Sequence, residues 1–317
     1  MRPDTPDAAA CGRFLRNPAL RGTALLAAAL ALAACRHIPA TADGERPAPA
    51  PGTPAATVPA DDNLNAVLWL QRSMEYQALS ETVFRAATER LDAALADPSW
   101  DALVHAERAA AGDSRELPPA VILDIDETVL DNSAYQARLV VDGQEFSDPA
   151  WDAWVEERKA IPVPGALDFT RAAAAKGITV FYISNRSAAL AEATLDNLRS
   201  QGLPVQHDAV FLGLGMQVPG CEQAGSGKSC RRQLVGRGHR VLMQFGDQLG
   251  DFAQLAANTP EQHAALHAGH RDWFGARWWV LPNPTYGAWE AAIFDNNWRL
   301  PRSERRAAKR EALRLDR

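Results

Sequence analysis

Two aspartates stand two residues apart directly after a short apolar stretch. In "AVILDIDET", Asp124 and Asp126 follow four apolar residues, and a carboxylate that ends a buried strand has lost much of its hydration. One of the two can attack an electrophile while the other, with a raised pKa, donates a proton to the leaving group. Asp247 would add the third carboxylate of an oxygen-rich magnesium site. The spacing favours ester hydrolysis over the alternative, an Asp-rich loop that caps the next helix.

The elements that would position these residues alternate between strands and helices. After Pro98 the chain contains the short apolar segments "AVILDI", "ITVFYIS", "DAVFLG", "RVLMQFGD" and "RWWVLP". Helical stretches separate them, after Pro164, over "SAALAEATLDNLRSQG" and from Leu249. This alternation predicts an α/β fold with a parallel sheet covered by helices on both faces. Gly177 and Gly202 occupy the positions expected of helix C-caps.

Ligand sites in open α/β sheets lie at the carboxyl ends of the strands. The apolar segments end at Asp124–Asp126, at Ser184–Arg186 and at Gly246–Asp247, so three strands are expected to deliver polar groups to one edge. The segment 132–164, which contains Tyr135, Trp151 and Trp154, lies outside the alternation and would cover that edge as a cap. A second cap element is expected at about 257–275.

Helical patterns occur at the start of the globular region, 61–300, and in the tail that follows it. Apolar residues at three- and four-residue steps predict one long helix from Asp61 to about Ala96, which Pro98 ends. They are Tyr76, Leu79, Val83, Ala86, Ala87, Leu91, Ala94 and Leu95. Beyond the region, 301–317 is a basic tail typical of a solvated helix.

His263, His267 and His270 have the helical spacing of a transition-metal site, but an exposed insertion helix is the favoured interpretation.

The first 60 residues have the features of an export and anchoring segment. Arginines precede the apolar run "ALLAAALALAA", which is short for a membrane span and suits the core of an export signal. The run ends in "LAAC", which resembles the bacterial lipobox. The alternative interpretation is an alanine-rich helix that ends in a buried cysteine. The interpretation makes 1–34 a signal peptide, Cys35 the lipidated residue and 35–60 a tether rich in Pro and Ala. Because Arg36 and not an aspartate follows Cys35, the outer membrane is the expected location.

The overall composition excludes a general affinity for polyanions. The 317 residues are 47% hydrophobic and carry a formal net charge of −6, so the chain can bury a full core, and nucleic acid is not an expected partner.

A histidine-type phosphatase would need an Arg-His-Gly motif, which the strings "RHI" and "GHR" do not supply.

Four spaced motifs resemble a known group. "DIDET", "SNR", a later lysine and "GDQLGD" resemble the ordered signature of the haloacid-dehalogenase-like (HAD) superfamily. Within it, "VILDIDETVLDNSAY" and "VLMQFGDQLGDF" are similar to the two patterns of the bacterial class C acid phosphatases, which are outer-membrane lipoproteins. The resemblance extends over roughly residues 65 to 295. It implies a HAD-like, Rossmannoid fold with a small, mainly helical cap, and magnesium-dependent hydrolysis of phosphomonoesters.

The resemblance also implies a role for each matching residue. Asp124 would be the nucleophile that forms an aspartyl-phosphate, and Asp126 the acid that protonates the leaving oxygen. Mg²⁺ would be held by the Asp124 carboxylate, the Asp126 backbone carbonyl and Asp247, with support from Asp251. Ser184 and Asn185 would donate hydrogen bonds to the phosphate, and Lys228 would offset its charge. Gln248 stands where similar phosphatases usually carry Asn or Thr, which puts the fine geometry around the metal in doubt.

Two aromatic residues occupy the positions at which similar enzymes stack the base of a nucleoside monophosphate. They are Trp151 and Tyr286, and stacking tolerates different bases because every base has a π-face. Broad 5'-nucleotidase activity is therefore expected. The alternative is that both pack in the core or the cap, as Trp154 and Trp289 are expected to do.

The stretch "GCEQAGSGKSC" looks at first like a phosphate-binding loop. A P-loop requires a glycine where this chain has Glu222, so that interpretation fails. Once the signal peptide and the lipidated residue are set aside, Cys221 and Cys230 are the remaining thiols of an exported domain. A disulfide between them would close a loop of ten residues and hold Lys228 in place, whereas the alternative is a pair of free thiols.

Two other functions would use the same residues. A lipid-tethered receptor could hold nucleotides for uptake without turnover, and it would have no need of a nucleophile at Asp124. A phosphotransferase would share the whole site and differ only in using an acceptor alcohol. The sequence leaves open the physiological phosphomonoester, a homodimer, and the side of the outer membrane on which the domain lies.

Overall fold

The computed structural model describes residues 61–223 and 225–316. The signal peptide, Cys35 and the tether of the sequence analysis lie outside the described residues and stay predictions. In the described part, no helix combines the length and the apolar character needed to cross a membrane.

A parallel five-stranded sheet forms the centre of the fold, as the alternating pattern predicts. The strands of the described part are β1 (Pro119–Leu123), β2 (Leu130–Asp131), β3 (Ile161–Pro162), β4 (Thr179–Ser187), β5 (Phe211–Leu214), β6 (Arg240–Gly246) and β7 (Trp278–Val280). The sheet has the order β5-β4-β1-β6-β7, and all its neighbouring strands are parallel. In the middle, Leu123 of β1 is opposite Tyr182 on one side and Phe245 on the other. The buried, apolar strands are typical of a sheet covered on both faces.

Helices cover both faces of this sheet. The helices of the described part are α1 (Leu64–Arg72), α2 (Met74–Ala96), α3 (His105–Ala111), α4 (Ser133–Asp142), α5 (Asp148–Glu156), α6 (Ala166–Ala175), α7 (Ala191–Ser200), α8 (Ser229–Gly238), α9 (Pro260–Gly269), α10 (Ala288–Ala291) and α11 (Arg302–Glu311). On one face Phe245 packs against Phe84 of α2 and Phe169 of α6, at centroid distances of 5.4 and 4.4 Å. Its neighbour Gln244 points the other way, since successive strand residues alternate, and donates to the carbonyl of Ala102 before α3 at 2.6 Å.

The prediction of one long N-terminal helix is wrong in one respect: the chain forms two. Ser73 has an extended backbone conformation, and its hydroxyl accepts a hydrogen bond from the Tyr76 amide at 3.1 Å, which starts α2 afresh. The apolar face also differs, because Leu79 is half exposed while Ser80 and Phe84 are buried.

The helix predicted from Leu249 is also wrong. Residues Leu249–Asp251 form a single 3-10 turn, and the next α-helix, α9, starts only at Pro260. The turn is closed locally: the Gln248 amide donates to the Asp251 carboxylate at 3.0 Å.

Gly177 and Gly202 do have the positive φ angles, 75° and 77°, that the end of a helix requires.

The segment 132–164 lies over the sheet edge as α4 and α5, with the small β2–β3 ladder at its base. Trp154 of α5 is buried, and its indole N–H donates to Asn132 Oδ1 at 2.8 Å. Tyr135 of α4 lies between the two tryptophans of α5, at 5.2 Å from Trp151 and 6.3 Å from Trp154. These contacts hold the two helices of the segment together.

Candidate active site

The strand ends bring the predicted polar residues to one edge of the sheet. Asp124 and Asp126 follow β1, and Asp247 follows the neighbouring β6. The Asp124 amide donates to the carbonyl of Phe245 at 2.9 Å, which continues the β1–β6 pairing into the site. Lys228 reaches the same edge from the start of α8.

Three carboxylates converge there. Asp124, Asp247 and Asp251 each place one oxygen within 4.8 Å of the others. Burial raises the pKa of Asp124 to about 7; Lys228 opposes this shift, whereas Asp251 and Asp126 add to it. The pKa of Asp247 is raised for the same reasons, by burial and then by Asp251 and Asp124. A desolvated donor set made of carboxylate oxygens suits Mg²⁺, so these residues fit the predicted ion.

Lys228 is the buried cation of this cluster. Its Nζ lies 2.5 Å from Asp124 Oδ1 and 2.6 Å from Asp251 Oδ1. Burial alone lowers the pKa of Lys228, but the two carboxylates more than offset that effect and the pKa is raised. The two carboxylates therefore favour the charged, ammonium form of the lysine.

The segment that carries Lys228 is anchored on both sides. Cys221 and Cys230 are joined by a disulfide, with their Cα atoms 5.7 Å apart. The Arg231 guanidinium donates to the Ser184 carbonyl at 2.5 Å and to Asn185 Oδ1 at 2.8 Å, which ties α8 to the end of β4.

Arg232, the next residue of α8, is fully buried. It pairs with Glu107 of α3 at 2.6 and 2.8 Å, and it donates to the carbonyls of Gly250 and Asp251 at 2.9 and 3.0 Å. One arginine thus links α3, α8 and the turn that supplies a carboxylate of the site.

Asp126 is surrounded by donors. Arg186 Nε and Asn132 Nδ2 both lie 2.9 Å from its Oδ1, and the Ser184 hydroxyl donates to Oδ2 at 3.1 Å. Asn132 and Arg186 are residues that the sequence analysis missed as part of the site. The letter "R" of "SNR" and the "DN" after "DIDETVL" were available as signals, but only the fold shows that both reach the same carboxylate.

A cavity of about 1730 Å³ opens at this edge and is lined by Asp124, Asp126, Asn185, Lys228 and Asp247. Trp151 and Tyr286 line the same cavity, so the structure brings the predicted stacking residues to the site.

The Tyr286 hydroxyl donates to the carboxylate of Glu127. Burial, followed by the charge of Asp126, raises the pKa of Glu127 to about 8. Glu127 also adopts a positive φ of 58°, which is uncommon for a residue with a side chain. Trp154 packs as expected, but Trp289 does not: it is 48% exposed and lines the cavity.

Gln248 reaches across the site to the loop before α10. Its Oε1 accepts a hydrogen bond from the Ala288 amide at 2.9 Å, and its Nε2 lies 3.4 Å from Asp247 Oδ2. Asn283, in the same loop, donates to that oxygen at 2.8 Å. The longer amide side chain at this position therefore joins Asp247 to the loop that carries Tyr286.

The three histidines of the α9 segment each have a separate environment. His263 contacts Asn258 Oδ1 at 2.7 Å, His267 packs near Phe274, and His270 stacks on Trp278 at 4.8 Å. Among residues 61–223 and 225–316, the side chains that converge for a metal are the three aspartates. Each of the three histidines thus has its own contacts in the described part.

A parallel sheet with carboxylates from adjacent strand ends, a buried lysine and a covering cap defines an α/β protein built to bind a phosphoryl group. The particular family follows from the comparison with known families. The chain belongs to the HAD superfamily, subfamily IIIB (acid phosphatase), whose model matches residues 52–289.

Solved structures and curated relatives agree with this family. The class C acid phosphatase from Bacillus anthracis is 32% identical with a TM-score of 0.68, covering 80% of this chain and 98% of that one; the same values hold for its structure with tungstate bound. Vegetative storage protein 1 of Arabidopsis thaliana is 26% identical over 52% of this chain and 54% of its own length. Acid phosphatase 1 of Solanum lycopersicum is 30% identical over 41% of this chain and 50% of its own. The chain spans about half the length of these curated relatives.

Proposed function

We propose that the chain is a magnesium-dependent acid phosphatase that hydrolyses phosphomonoesters, with nucleoside 5'-monophosphates as its substrates. The observation that carries the proposal is the contact of a buried ammonium, Lys228, with Asp124 inside a cluster of three carboxylates. Such a cluster is costly to bury unless a cation and an anionic ligand complete it. Membership of the acid phosphatase subfamily supports the same reaction.

In the proposed reaction a carboxylate oxygen of Asp124 attacks phosphorus, and the bond to the alcohol oxygen breaks. Asp126 gives a proton to that oxygen, so the alcohol leaves neutral. The Asp126 carboxylate then accepts a proton from water, which attacks the aspartyl-phosphate and releases phosphate. Arg186, Asn132 and Ser184 hold the Asp126 carboxyl group in place through both steps.

Charge compensation comes from Lys228 and the bound ion. Asp124, Asp247 and the Asp126 backbone carbonyl would hold Mg²⁺, with support from Asp251; the ion supplies electrostatic stabilisation of the phosphoryl oxygens. Lys228 opposes the rise that burial causes in the pKa of Asp124, and so favours the ionised nucleophile. Asn185, at the end of β4, lines the cavity and would donate to the phosphate. Ser184, predicted to do the same, is fully buried and donates its hydroxyl proton to Asp126 instead.

The preference for nucleotides rests on Trp151 and Tyr286. Both line the cavity of the catalytic aspartates, and base stacking on an aromatic ring contributes about 1–3 kcal/mol per base. The hydrogen bond from Tyr286 to Glu127 fixes the ring relative to the segment that follows Asp126. A stacking residue held in this way selects for a flat base without selecting which base.

The test is phosphate release by the full chain with Mg²⁺, from a nucleoside monophosphate and from an aryl phosphate. Asp124→Asn should abolish release from both, because an amide cannot form the phosphoenzyme. Asp152→Asn is the matched control, since this exposed aspartate lines the same cavity but is not one of the three clustered carboxylates. Equal release by wild type and Asp124→Asn would refute the enzymatic proposal and favour a binding protein. Added acceptor alcohol that captures most of the phosphate would indicate a phosphotransferase.

The proposed location is the outer membrane, with the domain anchored through a lipid on Cys35. The lipobox-like "LAAC" supports this proposal. Wild type should incorporate labelled palmitate and sediment with outer membranes, whereas Cys35→Ser should do neither. Incorporation of label into Cys35→Ser would contradict the assignment.

A further inference from the structure

The C-terminal helix α11 is ion-paired to three separate parts of the chain. Arg302 lies 3.3 Å from Asp61, and Arg306 lies 2.9 Å from Asp62. Lys309 lies 3.5 Å from Asp62 and 3.1 Å from Glu290 of α10. The family model ends at residue 289, so α11 lies beyond the part of the chain whose role the family explains.

Arg305 is the innermost residue of α11 and is about nine-tenths buried. Its guanidinium pairs with Glu145, in the loop between α4 and α5, at 2.6 Å. It also lies over the rings of Trp298 and Phe294, 5.3 and 6.0 Å from their centroids. Arg305 therefore connects α11 to the cap segment and fixes the indole of Trp298.

The surface that α11 forms belongs to the active-site cavity. Phe146, Trp289, Trp298 and Leu313 all line it, together with Asp124 and Lys228. Each of the four apolar side chains is at least 48% exposed. The cavity volume of about 1730 Å³ exceeds the roughly 300–1,000 Å³ typical of a small-molecule pocket. Exposed apolar side chains that cluster on one cavity commonly mark a ligand-binding groove.

We infer that α11, with Trp289, Trp298, Phe146 and Leu313, forms an outer subsite of this cavity. It binds the apolar or aromatic far end of phosphomonoesters whose leaving group extends beyond a single ring or nucleoside. Four cations of α11, Arg302, Arg305, Arg306 and Lys309, are paired with Asp61, Asp62, Glu145 and Glu290, whereas Arg310 lines the cavity as an exposed cation. The subsite we infer is the apolar one, formed by the four exposed side chains. The inference rests on the proposed phosphatase function, because the inner part of the cavity must hold the phosphate.

The test compares two esters that differ only at the far end: phenyl phosphate, and the same ester with a phenylalkyl chain para to the phosphate. Trp298→Ala and Leu313→Ala, in the full chain with Mg²⁺, should lower kcat/KM for the extended ester by about five- to tenfold through KM, the loss expected for one apolar contact. Phenyl phosphate should be turned over unchanged. Leu315→Ala is the matched control, because Leu315 is equally exposed but does not line the cavity.

A charge swap tests the part played by α11 itself. Arg305→Glu should lose the preference for the extended ester, and adding Glu145→Arg should restore it. Equal losses for both esters in Trp298→Ala, or an unchanged ratio in every variant, would overturn the outer subsite. If wild type turns over neither ester, the proposed function fails. The outer subsite is then tested by binding alone, measured by tryptophan fluorescence: the extended ester should bind more tightly than phenyl phosphate in wild type and lose that advantage in Leu313→Ala.

Discussion

The ammonium of Lys228 lies 2.5 Å from the carboxylate of Asp124, and both side chains are buried. The same Nζ is 2.6 Å from Asp251. One positive charge is thus shared by two carboxylates, with Asp247 beside them. Three carboxylates face one ammonium, so the proposed divalent cation would balance the remaining charge, and the proposal predicts that stability and chemistry depend on pH and on the metal.

The role of Asp126 as a general acid predicts a dependence on the leaving group. Asp126→Asn should reduce hydrolysis of an alkyl phosphate by about 10²–10⁴-fold, the usual contribution of general acid catalysis. An aryl phosphate with an acidic phenol should lose much less, because its leaving oxygen needs no proton. The measurement is kcat for a series of esters of increasing leaving-group pKa. A uniform loss across the series would exclude the acid role.

Mg²⁺ should stabilise the protein more at neutral pH than at acid pH. Burial raises the pKa of Asp124 from 3.8 to about 7, so in the metal-free protein its contribution to stability is present below pH 4 and is lost as the pH rises through 7. A bound cation favours the ionised carboxylate and reverses that loss. Thermal unfolding should show a larger gain in Tm from Mg²⁺ at pH 7 than at pH 5.

The control for this pH dependence is Asp124→Asn. With a side chain that does not titrate, the metal-free protein should lose less stability between pH 4 and pH 7, and Mg²⁺ should add little at either pH. An equal gain from Mg²⁺ at pH 5 and pH 7 in wild type would argue against Asp124 as a ligand.

The Cys221–Cys230 disulfide should contribute about 2–3 kcal/mol to the free energy of unfolding, as expected for a closed loop of this length. Urea denaturation of a Cys221→Ser, Cys230→Ser double variant should show this loss. KM should also rise, because Lys228 lies two residues before Cys230. Reductant should lower the stability of wild type to that of the variant and leave the variant unchanged; a wild type insensitive to reductant under denaturing conditions would refute the bridge.

The buried pair between Arg232 and Glu107 predicts a large effect on stability. Glu107→Ala leaves the fully buried guanidinium without its carboxylate and should cost about 3–5 kcal/mol in urea denaturation. Asp113→Ala is the matched control, because its pair with Arg115 is largely exposed and its removal should leave the denaturation midpoint unchanged. Similar midpoints for the two variants would contradict the structural role of the buried pair.

The sheet and its polar edge could be predicted because the signals are local. Each apolar segment ends at the residue that enters the site, as at Leu123 before Asp124 and Gly246 before Asp247. Parallel pairing then brings these ends together without further information. The break at Ser73 was missed, because the apolar repeat continues across a residue whose capping hydrogen bond only the structure shows.

The hydrogen bonds and ion pairs that hold the site residues in place could not be predicted, because they join residues far apart in the chain. Arg186 and Asn132 meet at Asp126 although 54 residues separate them. Arg305 and Glu145, 160 residues apart, meet in the lining of the cavity. Each is a charged or polar residue of ordinary local context, and no spacing rule distinguishes it from a solvated side chain.

The ion pair between Asp61 and Arg302 gives the domain a property unrelated to catalysis. The first described residues, Asp61 and Asp62, lie against the last helix of the described part, at Arg302, Arg306 and Lys309, so the first and last elements of the folded unit are adjacent. The unit 61–311 should tolerate insertion into a surface loop of a host protein, or circular permutation with a short linker between these two described elements. Either rearrangement leaves the register of the sheet, and the aspartates at its edge, untouched.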